Sequence, residues 1–163
     1  MENEQKKTVV IVHTVGKVAS STIYLAAKAF CRNTSVFHTH FLNEHRVAKV
    51  SATLEKHGKT LSGHIKDSRD VISHLVDESI NFKVVTLIRD PIARDVSAFF
   101  ENFEMFGFDK YNLPPVDIAC EKFLKSYPDN SIDHWFENEF CLTFGINLFE
   151  HLFPKRLGWY AFE

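Results

Sequence analysis

Short apolar runs alternate along the chain with stretches in which apolar residues recur at the spacing of a helix. The first run, 8–13, is rich in β-branched residues and has no polar alternation, which is typical of a strand covered on both faces of a parallel sheet. A helix is predicted next, because apolar residues recur at i, i+3, i+4 and i+7: Ile23, Ala26, Ala27 and Phe30. Ser20 or Ser21 can serve as the N-cap of that helix. The chain therefore opens with a strand, a loop and a helix.

Three further strands are predicted in the first two thirds of the chain. They lie at 35–41, where the run has a polar end, at 60–65, which is short, and at 82–88, which is the clearest after the first. The last of them leads directly into Arg89, Asp90 and Pro91.

Helices are predicted between and after these strands. A weaker helix covers 43–55 and ends at His57 and Gly58. The segment 67–70 would cap another helix, whose apolar face is Val71, Ile72, Leu75 and Val76. Asp90 as N-cap and Pro91 as the first helical residue predict a helix that runs through about Met105.

The last third of the chain is predicted to be a Phe-rich, mainly helical part. Most of the 16 Phe residues lie from Phe99 onward, helical stretches fall near 116–126 and 131–144, and a final strand-like segment covers 157–162. A core-facing helix stripe is the expected role of Phe99, Phe100, Phe103 and Phe106. Strands that alternate with helices imply right-handed βαβ units. The predicted fold class is therefore α/β, with a three-layer parallel sheet flanked by helices.

Composition narrows the class of protein. The 163 residues include 45% apolar and 25% charged residues, with a net charge of −2, so we expect one soluble globular domain over 1–163. The near-neutral charge argues against a nucleic-acid partner. No apolar run reaches the roughly 18 to 20 residues of a membrane span, and the mixed charge of the first seven residues is unlike a signal peptide.

The cysteines indicate a reducing compartment. Cys31, Cys120 and Cys141 are odd in number and form no CxxC pair, so we expect buried thiols rather than a disulfide framework or a zinc site. A cytoplasmic location is the corresponding prediction.

The loop after the first strand is a candidate anion site. A loop that leaves a parallel strand and enters a helix gathers backbone N–H groups and the positive end of the helix dipole at one point. Gly16 permits close approach, Lys17 adds a charge, and hydroxyls stand at the helix start: Ser20, Ser21 and Thr22. An ordinary capped turn with a surface lysine is the alternative.

This loop is not a Walker A motif. Ile11 stands where the first Gly of GxxxxGK[ST] belongs, and Val18 stands where the magnesium-binding hydroxyl belongs. A phosphate loop that keeps the lysine but lacks the metal ligand suggests chemistry that needs no magnesium.

A second candidate phosphate contact lies at 89–97. Arg89 ends a strand, at the edge of an open α/β sheet where ligands bind. In the helix that follows, one stripe carries Asp90, Arg94, Ser97 and Glu101. Arg89 and Ser97 could therefore meet one phosphate. The alternative is that Arg89 pairs with Asp90 or Glu101 and that Ser97 is merely small for packing.

Together the two segments resemble the P-loop-like sulfotransferases. The matching segments are Gly16-Lys17-Val18-Ala19-Ser20-Ser21-Thr22 and Arg89-Asp90-Pro91-Ile92-Ala93-Arg94-Asp95-Val96-Ser97. The resemblance covers about residues 8–105 and, more weakly, 135–146. The motif wording is closest to the carbohydrate branch, including glycosaminoglycan 2-O-sulfotransferases and the bacterial capsular polysaccharide synthesis family. Family members usually continue past the position of Glu163, so we expect a truncated chain or a minimal member.

The resemblance implies a P-loop NTPase-like topology and a specific co-substrate. This is 3′-phosphoadenosine 5′-phosphosulfate, with its 5′-phosphosulfate held by the lysine loop and its 3′-phosphate held by Arg89 and Ser97. Lys17 would stabilise charge on the bridging oxygen, and no metal would be needed. The resemblance also places a catalytic His about two dozen residues before the Arg, where His64 fits best.

Other histidines compete with His64 for the role of base. His38 and His40 are two apart, so on a strand both point to one face, and with His45 they could form a metal site. No carboxylate or Cys stands at ligand spacing, so acceptor binding or hydrogen bonding is favoured over metal. His13 is expected to be structural, and a solvated surface position is expected for His57, His74, His134 and His151.

The predicted function is transfer of a sulfuryl group to a hydroxyl of a saccharide or similar acceptor. Trp135 and Phe136 could line an acceptor groove, although core packing is favoured for both. The alternatives are a P-loop kinase-like nucleotide-binding protein and an inactive remnant of the sulfotransferase fold. The sequence does not indicate the acceptor or the oligomeric state.

Overall fold

A parallel sheet of three strands lies at the centre of the computed structural model, which describes residues 6–56, 58–127, 131–151 and 161. The strands are β1 (Lys7–His13), β2 (Ser35–Thr39) and β3 (Ile80–Val85), in the order β2-β1-β3. β1 pairs in parallel with both neighbours. The predicted parallel α/β arrangement is confirmed for these three strands.

Seven α-helices accompany the sheet within the described residues. They are α1 (Ser20–Phe30), α2 (Glu44–Lys56), α3 (Gly63–His74), α4 (Pro91–Glu101), α5 (Val116–Ser126), α6 (Ser131–Trp135) and α7 (Leu142–Phe144). A π-helical stretch, Phe136–Cys141, joins α6 to α7, and 3₁₀ turns cover Phe103–Phe106 and Leu148–Glu150. The predicted helical stretches at 116–126 and 131–144 are confirmed, whereas most of the predicted strand at 157–162 lies outside the described residues.

The strands of the sheet are not equally buried. In β1, Val9, Ile11 and Val12 are all buried, as the run without polar alternation predicts. In β3 the side chains alternate instead, with Phe82 half-buried and Lys83 exposed. Helices α1 and α3 both pack against β2. Full cover on both faces therefore holds for the central strand but not for β3.

The region before β3 differs most from the prediction. The predicted strand at 60–65 is wrong, because α3 begins at Gly63 with Ser62 as its N-cap residue. The predicted cap at 67–70 lies inside this helix. The helix forms because Ile65, Ser68 and Val71 recur on one side and are buried there. Asp67 has a different role, since its Oδ2 accepts a hydrogen bond from the backbone N–H of His38 at 2.8 Å.

Several predicted boundaries and apolar faces are corrected. β3 ends at Val85 and α4 at Glu101, so both are shorter than predicted. Ser20 and Ser21 are inside α1, whose N-cap residue is Ala19.

Some residues that the sequence predicts to be buried are exposed. They include Phe30, Val76 and Phe100. Of the three free cysteines, Cys120 is exposed, while Cys31 and Cys141 are only half-buried.

A buried glutamate attaches the C-terminal helical segment, which comprises residues 131–144, to the start of α2. The side chain of Glu139 is fully buried, and its Oε2 accepts hydrogen bonds from the N–H groups of Leu42 at 2.7 Å and Asn43 at 2.9 Å. Arg46 pairs with its other oxygen at 3.3 Å. The carboxylate therefore satisfies N–H groups at a helix N-terminus from across the molecule.

We expect Glu139→Ala to lower the free energy of unfolding by roughly 2–4 kcal/mol, because it leaves buried N–H groups without an acceptor. Urea denaturation measures the change. Glu137→Ala is the matched control, since Glu137 is exposed on the same π-helical stretch and should change stability by less than about 0.5 kcal/mol. Equal effects of the two substitutions would contradict this role of Glu139.

His13 is a core residue, as predicted. It is fully buried at the end of β1, Nδ1 lies 2.8 Å from the hydroxyl of Thr39, and the ring packs 4.8 Å from that of Trp135. Burial lowers the pKa of His13 from 6.5 to about 3, because the charged imidazolium would lose its hydration there. The folded protein therefore holds this imidazole neutral.

Stability should fall as the pH is lowered from 6.5 towards 3. In that window the unfolded chain protonates His13 and the folded chain does not, so each pH unit costs roughly 1.4 kcal/mol for this group. Urea denaturation at pH 7, 6 and 5 should give a smaller slope for His13→Gln than for the unchanged protein. His45→Gln, at an exposed position on α2, is the matched control and should give the slope of the unchanged protein.

Candidate active site

The loop between β1 and α1 has an unusual backbone. Lys17 and Ala19 both have positive φ angles, 71° and 63°, although neither is a glycine. Val18 between them is buried and packs in a cluster with Trp135 and Phe140 of the C-terminal helical segment. Left-handed conformations of this kind cost about 1 kcal/mol or more per residue, so the surroundings must hold the loop in place.

Two arginines from the segment after β3 hold this loop. Nη1 of Arg89 donates to the carbonyl of Lys17, and Nε of Arg94 donates to the carbonyl of Gly16, each at 3.1 Å. Arg94 also contacts the carboxylate of Asp95 at 2.6 Å and the hydroxyl of Tyr127 at 3.1 Å. The loop after β1 and the segment after β3 are thereby joined at one edge of the sheet.

The contacts of Arg89 and Arg94 with the carbonyls of Lys17 and Gly16, called the clamp below, determine which way the loop amides face. In a trans peptide the C=O and N–H groups point in opposite directions, so the N–H groups of Lys17 and Val18 face away from the two guanidiniums. Among the described residues, the N–H of Lys17 has no backbone acceptor, whereas that of Val18 closes the turn at Gly16 and Lys17. The nearby α1 presents its N-terminus, with Ser21 and Thr22 exposed in its first turn. Such a nest of amides beside a helix N-terminus can bind an anion.

The side chain of Lys17 is paired with a carboxylate. Its Nζ lies 3.1 Å from Oε1 of Glu101, the last residue of α4. Glu101 belongs to the stripe predicted with Asp90, Arg94 and Ser97, and the structure brings that stripe to the loop. An anion that bound the loop could draw Lys17 away from this partner, because the pair is partly exposed.

The start of α4 agrees with its sequence. Oδ1 of Asp90 accepts from the N–H of Ala93 at 2.8 Å, and Pro91 occupies the first turn. The two predicted alternatives for Arg89, pairing with Asp90 or with Glu101, are wrong, because its guanidinium binds the carbonyl of Lys17. Ser97 is half-buried on α4, and its role as a phosphate ligand stays a prediction.

Three histidines lie together beside the loop. His38 is the residue before the last in β2, His40 directly follows the strand, and His64 stands in the first turn of α3. Their ring centroids are 4.2 Å apart for His38 and His64, 4.4 Å for His40 and His64, and 5.1 Å for His38 and His40. His45, the third member of the metal site considered from the sequence, is instead exposed on α2.

Each of these rings has a defined hydrogen bond. Nδ1 of His40 lies 2.7 Å from the carbonyl of Thr14, and Nδ1 of His64 lies 3.3 Å from the carbonyl of His38. Nε2 of His38 lies 2.8 Å from the hydroxyl of Ser20, the first residue of α1. Since Ser20 is buried and bound to His38, its hydroxyl connects the histidine cluster to the candidate anion loop.

Burial keeps two of the three imidazoles neutral. It lowers the pKa of His38 to about 4, with a further contribution from the neighbouring histidines, and it lowers the pKa of His40 as well. Near pH 7 both rings are therefore unprotonated at one nitrogen.

The remaining aromatic and histidine predictions are settled by burial. Trp135 and Phe136 are buried, which confirms core packing, and Nε1 of Trp135 donates to the carbonyl of His40 at 2.7 Å. His134 and His151 are exposed as predicted, His74 is half-buried, and His57 lies outside the described residues. Sequence reasoning missed the contacts of Arg94 and Glu101 with the loop, although it placed both on the correct stripe.

Comparison with known proteins identifies the family. A model of the sulfotransferase family matches residues 4–118, which include both arginines, the lysine loop and the three histidines. The chain belongs to the sulfotransferase family. No curated protein and no solved structure matches significantly. Within the described part of the chain, no helix is both long enough and apolar enough to cross a membrane.

Removal of the Arg94 guanidinium should destabilise the fold and loosen the loop. We expect Arg94→Ala to lower the free energy of unfolding by roughly 2–3 kcal/mol in urea denaturation, because it removes the cation beside the largely buried carboxylate of Asp95. Arg69→Ala is the matched control, since the 3.6 Å pair of Arg69 with Glu55 is exposed and should contribute less than about 1 kcal/mol. Similar losses of unfolding free energy in both variants would contradict the structural role of the Arg94 guanidinium.

Proposed function

We propose that this sulfotransferase uses 3′-phosphoadenosine 5′-phosphosulfate and transfers its sulfuryl group to a hydroxyl of a saccharide-like acceptor. The observation that carries the proposal is the clamp, in which Arg89 and Arg94 bind the carbonyls of Lys17 and Gly16. It brings the two segments that resemble the phosphate-binding motifs of the family to one edge of the sheet. A P-loop-like topology and one domain over 1–163 belong to the same proposal.

The co-substrate would lie across this edge. The N–H groups of Lys17 and Val18, with the N-terminus of α1, would hold the 5′-phosphosulfate. Arg89 and Ser97 would hold the 3′-phosphate through a guanidinium and a hydroxyl. Gly16, Ala19, Ser20, Ser21 and Thr22 complete the proposed loop.

The transfer step requires a base and a group that stabilises the leaving oxygen. The acceptor oxygen would form a bond to sulfur while the bond from sulfur to the bridging oxygen breaks, releasing 3′,5′-bisphosphoadenosine. Lys17 would leave Glu101 and stabilise the charge on that bridging oxygen. His64 would take the acceptor proton at Nε2, because its Nδ1 faces the carbonyl of His38. No metal takes part in this step.

His38 and His40 are less suited to act as the base. Nε2 of His38 is already bound to Ser20, and burial lowers the pKa of His38 to about 4, which weakens it as a proton acceptor. His40 is held by the carbonyl of Thr14, and its pKa is also lowered. His64 is half-buried on the first turn of α3.

The kinase alternative is disfavoured by the environment of Val18. A magnesium-dependent P-loop needs a hydroxyl directly after its lysine, whereas Val18 has an apolar side chain that is buried in the core. The inactive-remnant alternative predicts nucleotide binding without turnover on any acceptor.

Binding of 3′,5′-bisphosphoadenosine tests the proposal without knowledge of the acceptor. Calorimetry and thermal melting should show binding, and Lys17→Ala or Arg89→Ala should weaken it by about 10–100-fold, because each removes a charge-assisted contact. Arg69→Ala should leave the affinity unchanged. Glu101→Gln should tighten binding several-fold, because it frees Lys17 from its competing partner.

A preference for ATP with magnesium would contradict the proposal. If ATP with magnesium stabilises the protein and the bisphosphate does not, the proposal is wrong. With saccharide acceptors and the sulfate donor, an active enzyme should lose turnover in both Lys17→Ala and His64→Ala, whereas a remnant has no turnover to lose.

A further inference from the structure

The three-histidine cluster has the chemistry of a transition-metal site. One ring nitrogen from each of His38, His40 and His64 lies within 4.8 Å of the other two. The cluster comes from two different elements, the end of β2 and the start of α3, so tertiary structure alone assembles it. Three imidazoles with one open position are a common donor set for zinc in proteins.

The hydrogen bonds of the cluster leave lone pairs available for a metal. A backbone carbonyl can only accept, so Nδ1 of His40 carries the proton that it donates to Thr14, and Nδ1 of His64 likewise faces the carbonyl of His38. In a neutral imidazole, Nε2 of each ring then holds an unprotonated lone pair. Histidines that bind metals are oriented by this kind of Nδ1 contact to a carbonyl.

The hydrogen-bond partner of His38 is a hydroxyl group. Nε2 of His38 lies 2.8 Å from the hydroxyl of Ser20, which can either donate or accept a hydrogen bond. Ser20 can therefore accept a hydrogen bond from Nε2–H of His38 while Nδ1 of His38 binds the ion. The carboxylate of Asp67, bound to the backbone N–H of His38 at 2.8 Å, places a negative charge beside the cluster.

The rings need only a small movement to close on an ion. A tetrahedral zinc with bonds of about 2.0–2.1 Å requires nitrogens roughly 3.3–3.5 Å apart, so a separation of 4.8 Å must shrink by about 1.5 Å. Rotation of the half-buried rings of His40 and His64 can supply this movement.

The geometry points to a site for a divalent transition-metal ion of the zinc type, formed by His38, His40 and His64. This inference goes beyond the proposed function, in which no metal takes part. A bound ion would occupy the lone pair of His64 that the transfer step uses, so zinc should inhibit the transfer. Magnesium should not bind, because it prefers oxygen ligands.

Zinc titration of the full chain, freed of metal with a chelator, tests the site directly. Calorimetry should show one ion per chain, with a rise in melting temperature on zinc but not on magnesium. His64→Gln and His40→Gln should each weaken zinc binding by at least the roughly 10–100-fold that loss of an outer-shell partner costs. His45→Gln is the matched control, because His45 is exposed on α2 outside the cluster.

Cobalt as a probe separates the histidine site from the thiols. Co²⁺ bound by three imidazoles should give visible ligand-field bands without a sulfur-to-cobalt charge-transfer band, and His64→Gln should abolish them. A charge-transfer band would assign the ion to a cysteine such as the exposed Cys120 and overturn the proposal. Equal zinc affinity in His45→Gln and His64→Gln, or no stoichiometric binding, would overturn it as well.

The metal site and the proposed function fail independently. If the bisphosphate binds and zinc does not, the metal site alone is wrong. If zinc binds one per chain through the cluster and the bisphosphate does not bind, the metal site stands and the proposed function is wrong.

Discussion

Two carbonyl groups of the loop after β1 are held by guanidiniums that lie 72 and 78 residues further along the chain. The rest of the site depends on this contact, because Lys17 and Ala19 have positive φ angles that their own sequence does not favour. By binding the carbonyls, Arg89 and Arg94 fix the direction of the loop amides. The same contact joins the segments that follow β1 and β3, so the loop and the sheet stabilise each other.

The C-terminal helical segment supports this loop from the other side. Val18 packs on Trp135 and Phe140, and the indole of Trp135 donates to the carbonyl of His40. Glu139 binds the chain just after that carbonyl, at Leu42 and Asn43. The C-terminal helical segment thus contacts both the loop and the chain beside the histidines.

The histidine cluster links proton chemistry to the anion loop. Ser20 opens α1 and binds His38, and the ring of His38 contacts that of His64. One buried hydroxyl therefore connects the histidine cluster to the candidate anion loop. In the proposed function, transfer to a hydroxyl would use a proton acceptor and an anion site at this edge of the sheet.

The sequence by itself determined the local elements and the candidate ligands. β-branched runs predict β1 and the core of β3, the Asp90-Pro91 pair predicts the start of α4, and two motifs indicate the family. It failed at 60–65, because a short apolar run does not distinguish a strand from a capped helix. Only the tertiary structure decided that Arg89 binds the carbonyl of Lys17, that Glu101 pairs with Lys17, and that His64 joins His38 and His40. Contacts between residues so distant along the chain arise from packing of the sheet and helices, which no local pattern encodes.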